Sequence, residues 1–314
     1  REGLMARRVL LTGATGFVGR HLTADLLRAG YTVRAATRRP VTLPADVEQV
    51  VVGDLDRPID WRAALAGVDA VVHAAGIAHA GPGIAEERYH RINTLATVAL
   101  AEAAGLERRF VFISSIRAQT GPTAARVLTE NDPLQPEDAY GRSKRAAEEA
   151  LAQRGGAWAA LRPVLVYGDG VGGNMGALLR LARLPLPLPL KSLTGRRSLL
   201  AVETLAGAVR HMLELPEAPR RAFIVADPEP VTVGEIVAAL RQGLGRAPGL
   251  VAVPEGLLRS LCVLAGKSDA FARLAGSLAV DAAALRQSGF VPEVQTLPQL
   301  RRLSAATFAR QIRE

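Results

Sequence analysis

A single cysteine, Cys262, stands among 314 residues. No internal disulfide can form, and with no Cys or His partner at ligand spacing neither a zinc site nor an oxidising compartment is supported, so no metal is expected. Long apolar runs are missing too. The most apolar-looking stretch, 181–190, is broken by Pro185, Pro187 and Pro189, so no membrane-spanning segment and no membrane insertion are expected. Residues 1–5 offer no apolar run ahead of the first strand, which argues against a secretory leader and for a cytoplasmic protein. Lysine is scarce: Lys144, Lys191 and Lys267 are the only lysines among 39 Lys and Arg. A lysine kept where arginine is otherwise used points to a specific task. A basic tract is also lacking. The net charge is +9, yet the arginines are scattered in ones and twos, which argues against a nucleic-acid partner.

What is present is a core-forming chain with 49% hydrophobic residues, which excludes disorder. Residues 8–12 form a short apolar run. Gly13, Gly16 and Gly19 follow, then an amphipathic stretch over 17–28 that stops at Gly30, then a second apolar run over 32–36. That order is strand, tight turn, helix, strand. The alternation continues with strands expected at 47–52, 70–74, 109–114 and 159–167, and helices at 61–66, 86–104 and 138–154. Near-continuous apolar strands suit a parallel sheet buried on both faces, hence an α/β doubly wound fold. After Gly168 a Gly- and Pro-rich stretch runs to Gly195, a helix fits 202–215 and a last strand 222–226. The remainder reads as short helices. The expected division is a dinucleotide-binding (Rossmann) domain of 1–167 with 196–226, and a smaller, mostly helical substrate-binding region of 168–195 with 227–314.

Two constellations carry chemistry. In Thr12-Gly13-Ala14-Thr15-Gly16-Phe17-Val18-Gly19 the glycines allow a tight turn and a close backbone approach to a pyrophosphate, and the helix start supplies free N–H groups. The bland alternative is an ordinary turn, but its place between a first strand and a helix favours dinucleotide binding. In Tyr140-Gly141-Arg142-Ser143-Lys144 the spacing of four puts Tyr140 and Lys144 on one helix face. A phenol is a poor base near neutrality, and an adjacent ammonium stabilises the phenolate. Lysine, rather than arginine, supplies a compact charge that also reaches ribose hydroxyls. Ser114 and Ser115 end the strand upstream. His73, in an apolar strand, reads as a satisfied core residue; His79 and His90 show no partner.

With these motifs the chain resembles the extended short-chain dehydrogenase/reductases, the NAD-dependent epimerase/dehydratase group, along essentially its whole length. The marks are TGATGFVG at 12–19, GDL at 53–55, VVHAAG at 71–76, Asn93 opening NTLATVALAEAA, FISS at 112–115, YGRSK at 140–144, LRPVLVYG at 161–168 and RRSLLAV at 196–202. The resemblance implies a catalytic triad of Ser115, Tyr140 and Lys144. It implies cofactor contacts at Gly13, Thr15, Gly16, Phe17, Val18 and Gly19, at Asp54 and Leu55, at Ala74, Ala75 and Gly76, and at Asn93, Tyr140, Lys144 and Pro163. The family's usual substrates are nucleotide sugars, and Asn174 and Arg197 fall where it contacts the substrate diphosphate. A diphosphate needs a fork of donors or a fixed positive charge, and Arg supplies both; the bland alternative for Arg196 and Arg197 is a solvated pair. Arg117 faces either substrate phosphate or solvent. By resemblance alone, helices 86–104 and 138–154 pair two subunits into a homodimer.

The chain departs from the group's NAD-preferring members at the end of the second strand, where Thr37-Arg38-Arg39 replaces an acidic residue. Two guanidinium groups there suit the 2′-phosphate of NADP, so NADP is favoured over NAD. The RRSLLAV segment also lacks the histidine and downstream aspartate of the common sugar-epimerase version. The expected activity is oxidoreduction at C4 of a nucleotide-activated hexose. An NADPH-linked 4-keto-sugar reductase is favoured, with a cofactor-retaining UDP-sugar 4-epimerase as the alternative. A small-molecule carbonyl reductase and an NADP-sensing protein without catalysis are the competing readings.

Overall fold

A computed structural model describes residues 7–78 and 83–311. The N-terminal residues read above as lacking a leader, and His79, lie outside the described residues. The strands of the main sheet are β1 (Arg8–Thr12), β2 (Thr32–Thr37), β3 (Val47–Val51), β4 (Ala70–His73), β5 (Arg109–Ile113), β6 (Trp158–Pro163) and β10 (Ala222–Val225). They pair in parallel in the order β10-β6-β5-β4-β1-β2-β3. Successive side chains of a strand point to opposite faces, and both faces here are covered. Val9 and Leu11 join a core with Leu22 and Leu26 of α1 (Phe17–Arg28) and Leu205 and Val209 of α7 (Val202–Glu214). Leu10 joins one with α2 (Arg62–Leu65), α4 (Ala96–Ala104) and α5 (Ala139–Arg154), through Leu65, Leu100 and Leu151. This three-layer doubly wound arrangement is the one expected.

Three local readings change. The apolar run 159–167 is not one strand. Pro163, which has no N–H to give a ladder, closes β6, and the chain then leaves the sheet as β7 (Leu165–Tyr167), pairing with β9 (Leu199–Ala201). The helix expected over 86–104 is divided into α3 (Glu86–Tyr89), a π-helical turn over His90–Leu95, and α4. The Gly- and Pro-rich stretch after Gly168 also contains α6 (Gly173–Ala182), whose amphipathic run is masked in the sequence by flanking glycines. β8 (Arg196–Arg197) pairs antiparallel with β11 (Val231–Thr232).

A third core, beyond the two that flank the sheet, collects Tyr167, Met175, Leu199, Ile236, Leu240 and Leu300. It draws on α6, on α8 (Val233–Gly243), which opens on a Thr232/Glu235 capping box, and on α12 (Thr296–Gln311). The lobe around it is completed by α9 (Glu255–Leu264) and α10 (Ser268–Ala275), while α11 (Ala283–Gln287) lies against β10. Among the described residues no helix is long and apolar enough to cross a membrane.

Candidate active site

The sheet order reverses between β1 and β4, and in such sheets the crevice outside the carboxyl ends of those strands is where ligands bind. The glycine turn leaves β1 there. Gly13 adopts φ +74°, and a Cβ on it would come within 2.7 Å of the Ala75 backbone nitrogen in the turn leaving β4. A Cβ on Gly19 would overlap the Gly13 carbonyl oxygen. The first position needs glycine for its backbone and for the close passage of two turns, the second for contact of helix with turn. Gly16 is the N-cap of α1 and no side chain caps it. The first-turn N–H groups, at Phe17 and Val18 among others, are therefore left for an outside acceptor beside the positive end of the dipole. Thr15 and Gly16 are exposed at this turn. The cradle fits a dinucleotide pyrophosphate.

Across the crevice, Ala74, Ala75 and Gly76 follow β4. A Cβ on Gly76 would sit 2.7 Å from Asn93 Oδ1 and 3.5 Å from Lys144 Nζ. Asn93 is fully buried in the π-helical turn, where its Oδ1 accepts from Ile77 N (2.8 Å) and its Nδ2 donates to Ile77 O (3.0 Å) and Ser143 Oγ (3.0 Å). The side chain thus ties the β4 turn to α5, and the π-turn, a feature frequent at functional sites, is the element that carries it. His73 lies beneath. Thr97 Oγ1 gives its proton to Asn93 O (2.7 Å), so it must accept from His73 Nε2 (3.0 Å), leaving His73 Nδ1 to accept from Thr12 Oγ1 (2.7 Å). This is a neutral imidazole held by two threonines, and burial together with the nearby Lys144 charge lowers its pKa to about 3. His73 is the satisfied core residue expected.

Of the three residues expected to form a triad, Ser115 and Tyr140 meet through the start of α5. Asp138 caps the helix, with Oδ1 accepting from Gly141 N and Oδ2 from Arg117 NH2, both at 2.7 Å. A Cβ on Gly141 would overlap the Arg117 carbonyl oxygen. The first turn of α5 therefore packs directly on the 3-10 turn Ile116–Ala118 that Ser115 caps, which brings the Tyr140 hydroxyl into a hydrogen bond with the Ser115 side chain. Burial pushes the Tyr140 pKa up, and the Ser115 hydrogen bond and the Arg117 charge oppose that shift. Lys144 is buried, with Nζ donating to Ile113 O at 2.9 Å and lying 4.6 Å over the Phe112 ring. Burial lowers its pKa to about 8, against the pull of Glu148 one turn on. Lys144 thus leans on the β5 carbonyl, and the groups that lower the Tyr140 pKa are Ser115 and Arg117.

The outer residues divide. Arg38 is 3.7 Å from Asp54 at the ends of β2 and β3, and Arg39 is exposed beside it. Leu55 is partly buried against the α2–α4 core and Pro163 ends β6. The Arg117 guanidinium is mostly shielded from solvent and is paired with Asp138 at 2.7 Å. Arg197 donates from NH2 to the Arg273 carbonyl of α10, and burial lowers its pKa. Asn174 is exposed in the first turn of α6. Both belong to the second lobe.

Residues 9–226 match the NAD dependent epimerase/dehydratase family. The chain belongs to this family. It is an enzyme of the extended short-chain dehydrogenase/reductase type, as its motifs led one to expect. It is 35% identical to a UDP-glucose 4-epimerase of Vibrio cholerae, over 97% of this chain and 96% of that one. Among solved structures it superposes on MoeE5 in complex with UDP-glucuronic acid and NAD (TM-score 0.73, 26% identity, 97% and 99% of the two chains). It shares the fold of a UDP-N-acetylglucosamine 4-epimerase from Bacillus cereus (TM-score 0.76, 20% identity, 96% and 97%). Members of this family use a nicotinamide cofactor, and the glycine cradle is the part of this enzyme that fits it.

Some residues of this family member went unread in the sequence. Glu148, four residues beyond Lys144, forms a buried ion pair with Arg162 of β6 at 2.6 Å and accepts from Ser114 Oγ. Arg162 also donates to Gln119 Oε1 at 3.1 Å. An arginine inside the apolar run of β6 was the available signal, since a charge there has to be paired. Tyr167 donates to Asp227 at 2.8 Å, a carboxyl whose pKa burial raises to about 6.

Proposed function

We propose that this enzyme interconverts a UDP-linked hexose and its C4 epimer with a nicotinamide cofactor held in the β1/β4 crevice. The observation that carries this reading is the Ser115–Tyr140 contact beside buried Lys144, below the glycine cradle, in a chain similar end to end to a UDP-glucose 4-epimerase. When bound, the nicotinamide ring would take up and return the C4 hydride. Tyr140 Oη takes the proton of the C4 hydroxyl and returns it, Ser115 Oγ orients that oxygen, the Ser115 hydrogen bond and the Arg117 charge stabilise the phenolate, and the Lys144 ammonium, anchored on the Ile113 carbonyl, serves the ribose hydroxyls of the cofactor. Asn174 and Arg197 are the proposed diphosphate contacts, Arg197 exchanging the Arg273 carbonyl for phosphate oxygens. The proposed assembly is a cytoplasmic homodimer formed through α4 and α5.

A net 4-keto-sugar reductase is the second reading, and the observation favouring it is the pair Arg38 and Arg39 with no acid at the end of β2. NADP is the cofactor this pair favours; NAD remains compatible with the same cradle. The two readings differ in what is consumed. Purified enzyme that converts UDP-glucose or UDP-N-acetylglucosamine to the C4 epimer without added cofactor supports the first. Stoichiometric NADPH consumption with a UDP-4-keto-hexose, and no epimer from a UDP-hexose, replaces it with the second.

A further inference from the structure

The lobe built on the third core displays apolar side chains that the described residues leave exposed. Leu184, Leu186 and Val251 lie in one strip, and Leu257, Leu261 and Leu264 run along one face of α9 at helical spacing, all between 41% and 85% exposed. α9 has no buried residue; only Leu258 and Cys262 lean on the core. The first strip is held rigidly. Leu188 N donates to Gly249 O (2.9 Å) and Val251 N to Leu188 O (3.0 Å). The buried Arg241 donates to the carbonyls of Leu184 (3.0 Å), Leu186 (2.8 Å), Pro248 (2.9 Å) and Gly249 (2.9 Å). Its fork satisfies the backbone, so the leucine side chains are turned outward on a fixed frame. The chain then runs from Val251 to Pro254, the N-cap of α9.

Charge decides what such a face fits. Residues 180–191 and 246–275, the stretches that carry these side chains, together hold seven Arg and Lys against two acids, a net +5 of the chain's +9. One of those acids, Glu255, is already paired with Arg259 at 3.4 Å. Apolar side chains set among cations match the two layers of an anionic bilayer surface, acyl chains below and phosphates above. A soluble monomer rarely leaves such a patch unused. We propose that this lobe docks peripherally on an anionic lipid surface, with Leu184, Leu186, Val251 and the Leu257/Leu261/Leu264 face of α9 entering the headgroup boundary. A ten-residue helix binds weakly alone, so the apolar strips and the cations act together. The inference goes beyond the proposed catalysis and does not depend on it.

The test is co-sedimentation of the full chain with vesicles of phosphatidylcholine alone or with about 30% phosphatidylglycerol. Binding is expected only to the anionic vesicles, weakened by about 0.5 M salt. Leu257→Glu/Leu261→Glu should lower it at least about tenfold, while melting temperature and cofactor binding stay unchanged. Leu106→Glu, at an exposed leucine following α4, should bind like the parent. Should the double variant not fold, Leu264→Glu at the most exposed position reads the same effect. The proposal is overturned if the parent stays in the supernatant with both vesicles, or if the variants bind as it does. It is equally overturned if the parent is an oligomer that Leu257→Glu/Leu261→Glu dissociates and no vesicle binding is seen, since a second copy then covers this face.

Discussion

Replacing Glu148 with Gln removes one charge from a pair that holds three elements together behind the active site. Glu148 and Arg162 are 4% and 5% exposed, and Arg162 reaches the carboxylate through Nε at 3.1 Å and NH2 at 2.6 Å. Ser114 of the β5 end donates to the same carboxylate. A glutamine keeps the shape, but its amide turns donors toward a guanidinium that needs acceptors. Removing one member of a buried pair leaves the other uncompensated, at a cost on the order of 3–5 kcal/mol. A second consequence follows for Lys144. The Glu148 charge holds its pKa up against burial, at about 8; without it the pKa falls, and the ammonium is lost at lower pH. Urea unfolding of Glu148→Gln against the parent measures the first effect. The pH dependence of kcat measures the second, and its alkaline limb should move to lower pH. The double variant Glu148→Leu/Arg162→Met should recover most of the stability, because an apolar replacement of both partners leaves no orphan charge. A stability loss below about 1 kcal/mol with an unmoved alkaline limb refutes the reasoning.

Tyr140→Phe should lower turnover about a hundred- to ten-thousand-fold, the usual contribution of a general acid/base, with cofactor binding kept in a titration; full activity would remove Tyr140 from the chemistry. Arg38→Ala should weaken NADPH more than NADH, by about 1.5–3 kcal/mol for a lost charge-assisted hydrogen bond, and equal losses for both cofactors would make Arg38 a bystander. His73 is lowered to about 3 in the fold against 6.5 unfolded, so its contribution to stability is whole above the unfolded value and is lost as pH falls toward the folded one. About 2 kcal/mol should be gone by about pH 5. Thermal melts from pH 7 to 5 read this slope, which should flatten in His73→Gln; an identical slope in that variant places the acid sensitivity elsewhere.

Much of the site was legible because its signals are local. The glycine turn, the Tyr140–Lys144 spacing and the strand ends are properties of neighbouring residues, and a 3.6-residue or two-residue period survives in the bare chain. What failed to show depended on partners distant in sequence. Arg117, left open between phosphate and solvent, is claimed by Asp138, which also caps α5. Ser114 and Ser115 are adjacent and chemically alike, yet strand alternation turns one to Glu148 and the other to Tyr140.

By itself the sequence determined the doubly wound sheet, the crevice at its switch point and the residue types set around it, because alternating strands and amphipathic helices have one stable way to bury their apolar faces. Only the tertiary structure decided where β6 ends and β7 departs, that a π-turn presents Asn93 to Ile77 and Ser143, and that Arg197 rests on the carbonyl of Arg273. Each of these depends on which backbone groups remain unsatisfied once distant segments pack, and buried polar groups must find partners wherever the fold brings them.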